Sequence, residues 1–284
     1  MSLTHLKNFL QISKTNHSSR LVLLLRHYSS NGGQESAAPV ELLGPADYQM
    51  LLTPENRERC LEKLRNLAEF PRPKSMTSNK HEKKIASVLV ALCQDRDTNQ
   101  LSLLYTRRSR HLRRHGYQIS FPGGQLDEQD RSFVDCALRE TEEEIGLPRQ
   151  RIEVWGEGKQ IFLPRTSAIV PVVGHIQNFH ISELHLNLDE VEEAFSIPLN
   201  SLMASTAARH TQFRAGYSGP VFLVDSNRIW GITGYLTQVF LHCLLPKNML
   251  PVSLKTNIKF IRPYKLPPKQ AHPHHHHADP KNRE

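Results

Sequence analysis

The chain is poor in cysteine, and the four it has stand apart. Cys60, Cys93, Cys136 and Cys243 are scattered through 284 residues. None belongs to a CxxC pair and none has histidine at ligand spacing. A thiolate zinc site and a disulfide framework are therefore excluded, and four free thiols in a reducing compartment are expected. No run of about 18 apolar residues occurs, so no membrane-spanning helix is expected. There are no internal repeats. Acid is missing altogether from residues 1–34, which hold Lys7, Lys14, Arg20 and Arg26. The formal charge of +8 and pI of about 9.4 come mainly from that segment and from the basic tail after Lys255. The middle of the chain is nearly balanced, so its charge does not call for a nucleic-acid partner.

Residues 1–28 have the composition of a mitochondrial transit peptide: basic, rich in Ser, Thr and Asn, free of acid, with a short apolar patch at 21–25. That patch is shorter than the apolar core of a secretory signal, and no small-x-small site follows it. Arg26-His27-Tyr28-Ser29-Ser30 resembles a matrix-processing site with cleavage after Tyr28, so the mitochondrial matrix is the expected location. Residues 29–84 read as a linker around one helix, 54–70, capped by Thr53 with proline first. The folded catalytic region is expected over 85–245. The basic, His-rich end, 246–284, is expected to be disordered with no catalytic role.

Within 85–245 the apolar run 85–93 and the segment 101–106 predict a hairpin of strands, and 117–121 a further strand. Residues 107–115 are crowded with base: Arg107, Arg108, Arg110, Arg113 and Arg114. A solvated basic loop is the plain reading. Arginine forks also suit phosphate oxygens, and this run leads straight into Pro122-Gly123-Gly124, where the backbone can approach a ligand. A helix follows, capped by Ser132 and stopped by Gly146. Val134, Ala137, Leu138, Thr141 and Ile145 form its packing face. Glu140, Glu143 and Glu144 share the other. Like charges stacked this way cost helix stability, and a divalent cation with hard oxygen ligands, Mg²⁺ or Mn²⁺, relieves that cost. A second acidic cluster lies at 188–195, then a short helix near Ser201, a hairpin turning at 225–227 and a helix at 234–245.

The run Arg139-Glu140-Thr141-Glu142-Glu143-Glu144-Ile145-Gly146-Leu147, with Gly124 before it, resembles the Nudix box, R-E-U-x-E-E-x-G-U. Thr141 stands where an aliphatic residue is usual. The loop after Gly124 is one residue longer than in the general box and carries Asp127 and Asp130 in place of its early Glu. That loop, FPGGQLDEQD, and the upstream LLYTRRSRHLRRHGYQIS are similar to the coenzyme A diphosphatase branch. Tyr117 replaces that branch's glycine, with Gly116 one residue early.

The resemblance implies an α/β fold, a Nudix α/β/α sandwich with a mixed sheet and the box helix. It also implies hydrolysis of the diphosphate of coenzyme A or acyl-CoA to 3′,5′-ADP and 4′-phosphopantetheine. Glu140, Glu143 and Glu144 would then hold the metal, with the Gly124 carbonyl as a further ligand. Arg139 would orient Glu143, Glu190 or Glu140 would position or deprotonate the water, and Arg107, Arg108, Arg113 and Arg114 would meet the phosphates. A related hydrolase acting on ADP-ribose, a dinucleotide or a nucleotide is the enzymatic alternative. A non-catalytic binding module is the other; it would be expected to have lost a carboxylate at 140, 143 or 144.

Overall fold

The computed structural model describes residues 42–68, 84–112, 115–162, 167–212 and 218–255. The expected transit peptide, Arg113, Arg114 and the His-rich end lie outside the described residues. Two short helices open the described chain: α1, Pro45–Leu51, and α2, Pro54–Arg65, whose N-cap Thr53 accepts from the Asn56 amide as its sequence predicts.

A mixed sheet of eight strands forms the centre. Strand β1, Lys84–Asp95, runs antiparallel to β2, Leu101–Arg108, and parallel to β7, Ser167–Phe179. Strands β3, Ile119–Ser120, and β4, Gly123–Gln125, pair with β2 and β1. Strands β5, Glu153–Glu157, and β6, Ile161–Phe162, pair with β7. Helix α3, Phe133–Ile145, lies between β4 and β5 in the chain. Strand β8, Val191–Pro198, pairs antiparallel with β2. Helix α4, Leu199–Met203, follows, then a three-stranded sheet of β9, Ala208–Gln212, β10, Ser218–Val224, and β11, Asn227–Ile229. Helices α5, Gly231–Leu244, and α6, Val252–Lys255, close the described chain. No helix among the described residues is long and apolar enough to cross a membrane.

Strand periodicity divides the core in two. On β1, Leu89, Ala91 and Cys93 face one cluster with Ala137 and Ile145 of α3. Val90 and Leu92 face the other, with Leu61 and Leu64 of α2 and Leu236 and Phe240 of α5. Helices thus cover both faces of the sheet, the α/β/α sandwich expected. The same parity separates two adjacent arginines at the end of β2. Leu104 lies on the α3 side and Tyr105 on the α5 side, so Arg108 projects toward α3 and Arg107 away from it.

The N-terminal helices belong to this core. Leu43, Tyr48, Leu51, Cys60, Leu61 and Leu64 are buried in it, although they precede the expected catalytic region. Asn56 is buried, and its Nδ2 donates to the carbonyls of Leu51 and Leu244, tying α1 and α2 to the end of α5. Two local expectations are corrected. Residues 117–121 form a strand only at Ile119–Ser120, because His115 and Tyr117 turn through left-handed φ values of 57° and 63°. The helix expected over 54–70 is assigned as Pro54–Arg65, and residues 69–70 lie outside the described set. The acidic cluster at 188–195 is a turn followed by strand β8, where Glu193 stands opposite Arg107. If α2 is integral, Leu64→Ala lowers unfolding free energy by about 2–5 kcal/mol. Urea denaturation measures this, and a change near zero would mean that α2 is a detachable appendage.

Candidate active site

Helix α3 carries the acids because its ends are well defined. Ser132 Oγ accepts from the Asp135 amide at 3.0 Å, and Asp135 in the first turn favours the helix dipole. Gly146 ends the helix at φ +65°, where a side chain would also strike His185. Beyond it the chain returns: the amides of His185 and Asn187 donate to the carbonyls of Ile145 and Glu144 at 2.9 and 3.0 Å. These are helix-end carbonyls with no partner inside the helix. Satisfying them fixes the segment that carries Glu190. The Glu190 carbonyl in turn accepts from the Ser109 amide at 2.8 Å, just past β2.

Glu140, Glu144 and Glu190 consequently meet, with one carboxylate oxygen of each within 4.8 Å of the others. Glu144 is the deepest, its side chain only 2% exposed. Burial pushes its carboxyl up to about 7; the Gly123 amide and Arg108 pull the other way, and Glu140 and Glu190 add to the rise. The Gly123 N–H donates to Glu144 Oε2 at 3.2 Å, and Arg108 Nη1 lies 3.5 Å from Glu144 Oε1. Burial also raises Glu140, against the pull of Arg139.

The glycine pair is explained by close approach. Gly123 has φ +142°, and a Cβ there would fall on the Ser87 carbonyl of β1. A Cβ on Gly124 would fall on the Glu140 carboxylate, so only glycine leaves that carboxylate its place. The Gly124 carbonyl lies 3.8 Å from Cys136 Sγ.

Arg139 is the hub. Its Nε and Nη2 donate to the two oxygens of Asp130 at 2.8 and 2.9 Å, and its Nη1 to Glu143 at 2.8 Å; Nη2 also lies 3.0 Å from Glu140. Glu143 is 54% exposed and turned to Arg139, outside the cluster of three. Asp130 was visible in the sequence only as an acid in a lengthened loop. Its fork to Arg139 holds its carboxyl at about 2, and it also accepts from the Asp127 amide at 2.8 Å. Thr141, the departure from the box, is fully buried and donates to the Ala137 carbonyl at 2.6 Å, which satisfies its hydroxyl inside its own helix.

Of the arginines expected to meet phosphate, Arg108 faces the cluster. Arg107 donates to Glu193 at 2.9 Å and to Asn227 at 2.7 Å, and Arg110 pairs with Glu192. Hard oxygen donors at this spacing, crowded and short of positive partners, suit a small divalent cation. Gly124→Ala should displace Glu140 and weaken Mg²⁺ or Mn²⁺ binding by about 10–100-fold in calorimetric titration. Unchanged affinity would remove Glu140 from the cation site. The Asp130 fork is a separate expectation. Its folded-state value lies below the ordinary 3.8, so its stabilisation is present above 3.8 and is lost as pH falls toward about 2. After allowance for solvent screening, Asp130→Asn should cost about 1 kcal/mol at neutral pH. Variant and parent should converge in acid, as urea denaturation across pH will read.

Comparison with known proteins agrees with this geometry. A sequence model of the NUDIX domain matches residues 83–216. The chain is 39% identical over 171 residues to the mitochondrial coenzyme A diphosphatase NUDT8 of Homo sapiens, covering 58% of this chain and 72% of that protein. It is 35% identical over 200 residues to its Mus musculus namesake, covering 69% and 90%. To the Nudix hydrolase NudL of Yersinia enterocolitica it is 36% identical over 186 residues, covering 61% and 91%. A solved MutT/nudix family protein from Enterococcus faecalis aligns at 18% identity and a TM-score of 0.36, over 65% of this chain and 60% of that one, too loosely to add weight. With nine-tenths of one relative spanned and the box residues assembled around three carboxylates, the chain belongs to the Nudix hydrolases and is a diphosphatase.

Proposed function

We propose that this diphosphatase cleaves the diphosphate of coenzyme A or its acyl esters, giving 3′,5′-ADP and 4′-phosphopantetheine. The observation that carries the chemistry is the cluster of Glu140, Glu144 and Glu190. Support for the substrate comes from the relatives named coenzyme A diphosphatase and from the 103–124 segment, whose Arg108 faces the cluster.

In this reading Glu140 and Glu144 hold Mg²⁺ or Mn²⁺, with the Gly124 carbonyl as a further ligand. The bound cation supplies charge for the phosphate oxygens and acidifies water. Glu190 approaches from a different element and takes the proton of the attacking water. Oxygen of that water bonds to phosphorus, the bond from phosphorus to the bridging oxygen breaks, and the second phosphate leaves with the electron pair. Arg108 stands at the cluster to neutralise the phosphates, as a guanidinium fork does well. Arg113 and Arg114 stay candidates for the same task. Arg107 has a different first duty, its contacts to Glu193 and Asn227. Glu143 acts on the site through Arg139, which keeps Glu140 in place.

The protein would work in the mitochondrial matrix after loss of residues 1–28. The composition of that segment supports this, as do the relatives named mitochondrial. The catalytic domain proper would span 85–245, with α1 and α2 as its N-terminal brace.

A panel of coenzyme A, acyl-CoA, ADP-ribose, dinucleotides and nucleoside triphosphates with Mg²⁺ or Mn²⁺ tests the substrate. Coenzyme A or an acyl ester should give the highest kcat/KM. A preference of about tenfold for ADP-ribose would move the assignment to that substrate. Glu144→Gln and Glu190→Gln should each cut kcat by about 10²-fold or more, with circular dichroism unchanged. Wild-type rates in Glu190→Gln would remove it as the base.

A further inference from the structure

We propose that Arg110 and Glu192 are positioning residues for Glu190: their ion pair holds a β-bulge that sets the rung at which Glu190 meets the cluster. The inference rests on the reading above, in which Glu190 takes the proton of the attacking water. The bulge shows in the pairing of β2 with β8. Arg107 stands opposite Glu193, yet the next residue, Arg108, stands opposite Val191. Glu192 is therefore an extra residue with no partner on β2. On a regular strand residues 191 and 193 would share a face. Here Glu193 bonds Arg107, whose guanidinium lies over the Phe195 ring on the α5 side. Val191 instead is fully buried on the α3 side, with Leu104, Ala137 and Ile145.

The extra residue decides where Glu190 lands. Without it the ladder would set Glu192 opposite Arg108, Val191 opposite Ser109 and Glu190 opposite Arg110. With it Glu190 comes level with Ser109, whose amide donates to the Glu190 carbonyl at 2.8 Å. The two registers differ by one rung, about 3.4 Å along β2. The oxygens of Glu140, Glu144 and Glu190 lie within 4.8 Å of one another. A slip of one rung would therefore take Glu190 out of the cluster.

Backbone groups can bond in either register, so the choice of rung falls to side chains. Val191 favours the bulged one, because the regular ladder would turn it out of the α3-side core. Glu192 favours it from outside. Arg110 Nε donates to one oxygen of Glu192 at 3.1 Å and Nη2 to the other, a two-point fork. The Arg110 guanidinium is steadied in turn by the Tyr117 ring, whose centre lies 5.3 Å away, with Arg107 4.9 Å from the same ring. Arg110 is also the residue that Glu190 would meet in the slipped register. Engaged with Glu192, it does not draw Glu190 away from the carboxylates.

Steady-state kinetics of the full-length protein test this, with Mg²⁺ and coenzyme A or whichever diphosphate of the panel is turned over fastest. Glu192→Gln and Arg110→Ala should each lower kcat by about five- to tenfold and leave KM within about twofold. The double variant should lose no more than the worse single one, since both remove the same pair. Exposed ion pairs add little to global stability, so melting temperatures should stay within about 3 °C of the parent. In a Glu190→Gln background Glu192→Gln should change the residual kcat by less than about twofold, because the group it positions is gone. A raised KM in Arg110→Ala with normal kcat in Glu192→Gln would make Arg110 a phosphate contact and overturn the proposal. Unchanged kcat in both, the same loss in the Glu190→Gln background, or a loss that follows a falling melting temperature would overturn it too. Wild-type rates in Glu190→Gln remove the reading of Glu190 as the base. A slow Glu190→Gln beside a wild-type Glu192→Gln removes the positioning pair alone.

Discussion

Mutual repulsion among three carboxylates is the constraint around which the rest of the site is arranged. Charges within 4.8 Å repel by about 3–4 kcal/mol per pair at an effective dielectric of about 20. The fold answers with groups that are individually ordinary. Arg108 stands beside Glu144, the Gly123 amide donates to it, and Arg139 stands beside Glu140. These do not balance the charge. Arg139 also serves Asp130 and Glu143, so two guanidinium groups contact four carboxylates, and Glu190 adds a fifth acid at the cluster. Burial is the main cause of the raised carboxyl of Glu144, and the neighbouring Glu140 and Glu190 carboxylates add to it. A site left short of positive charge, with oxygen donors already in place, is prepared for a cation rather than relaxed by folding.

That constraint explains which parts of the site were legible in the sequence. The helix and its caps were, because Ser132, the apolar face and Gly146 are local signals, and local signals survive tertiary context. The pairing of Glu140 with Glu144 follows from helical spacing alone. The exclusion of Glu143 from the cluster does not. It depends on Arg139 being pinned from the far side by Asp130, a contact across the loop that spacing cannot reveal. The hairpin of β1 and β2 was equally readable as an apolar pattern, and a helix was readable over 234–245, where α5 spans Gly231–Leu244. The parallel pairing of β1 with β7 was not, since register between distant strands leaves no mark in either one.

The basic stretch illustrates the same limit from the other direction. As sequence, residues 107–115 are a single block of positive charge. On a strand, neighbours point to opposite faces, so Arg107 and Arg108 cannot serve the same surface. Arg108 goes to the carboxylates. Arg107 meets Glu193 directly across the ladder on β8, and the acidic run at 188–195 becomes intelligible as the other half of a cross-strand pairing. Composition counted these charges correctly. Only the strand assignment says that most of the described ones are already spoken for, and that the exposed Tyr117 ring is what they hold.

Glu190, singled out in the sequence as one acid of the 188–195 cluster, shows how a residue far away in sequence is brought to a helix-borne site by backbone contacts. Helix α3 ends on a left-handed glycine and leaves carbonyls that need donors. The amides of His185 and Asn187 supply two of them, and three residues after Asn187 the chain delivers Glu190 to the cluster. The same segment is clamped from the other side when the Ser109 amide donates to the Glu190 carbonyl. The third carboxylate is therefore placed by backbone hydrogen bonds that any sequence compatible with the turn could make. Its own acidic side chain meets repulsion on arrival rather than attraction. Two consequences follow from that division of labour. Replacing the Glu190 side chain leaves its placement machinery intact, so the chemistry of position 190 can change without the fold changing. And the end of α3, which needs Gly146 and the returning 185–190 segment to satisfy its carbonyls, is both the structural terminus of the box helix and the hinge on which the site is assembled.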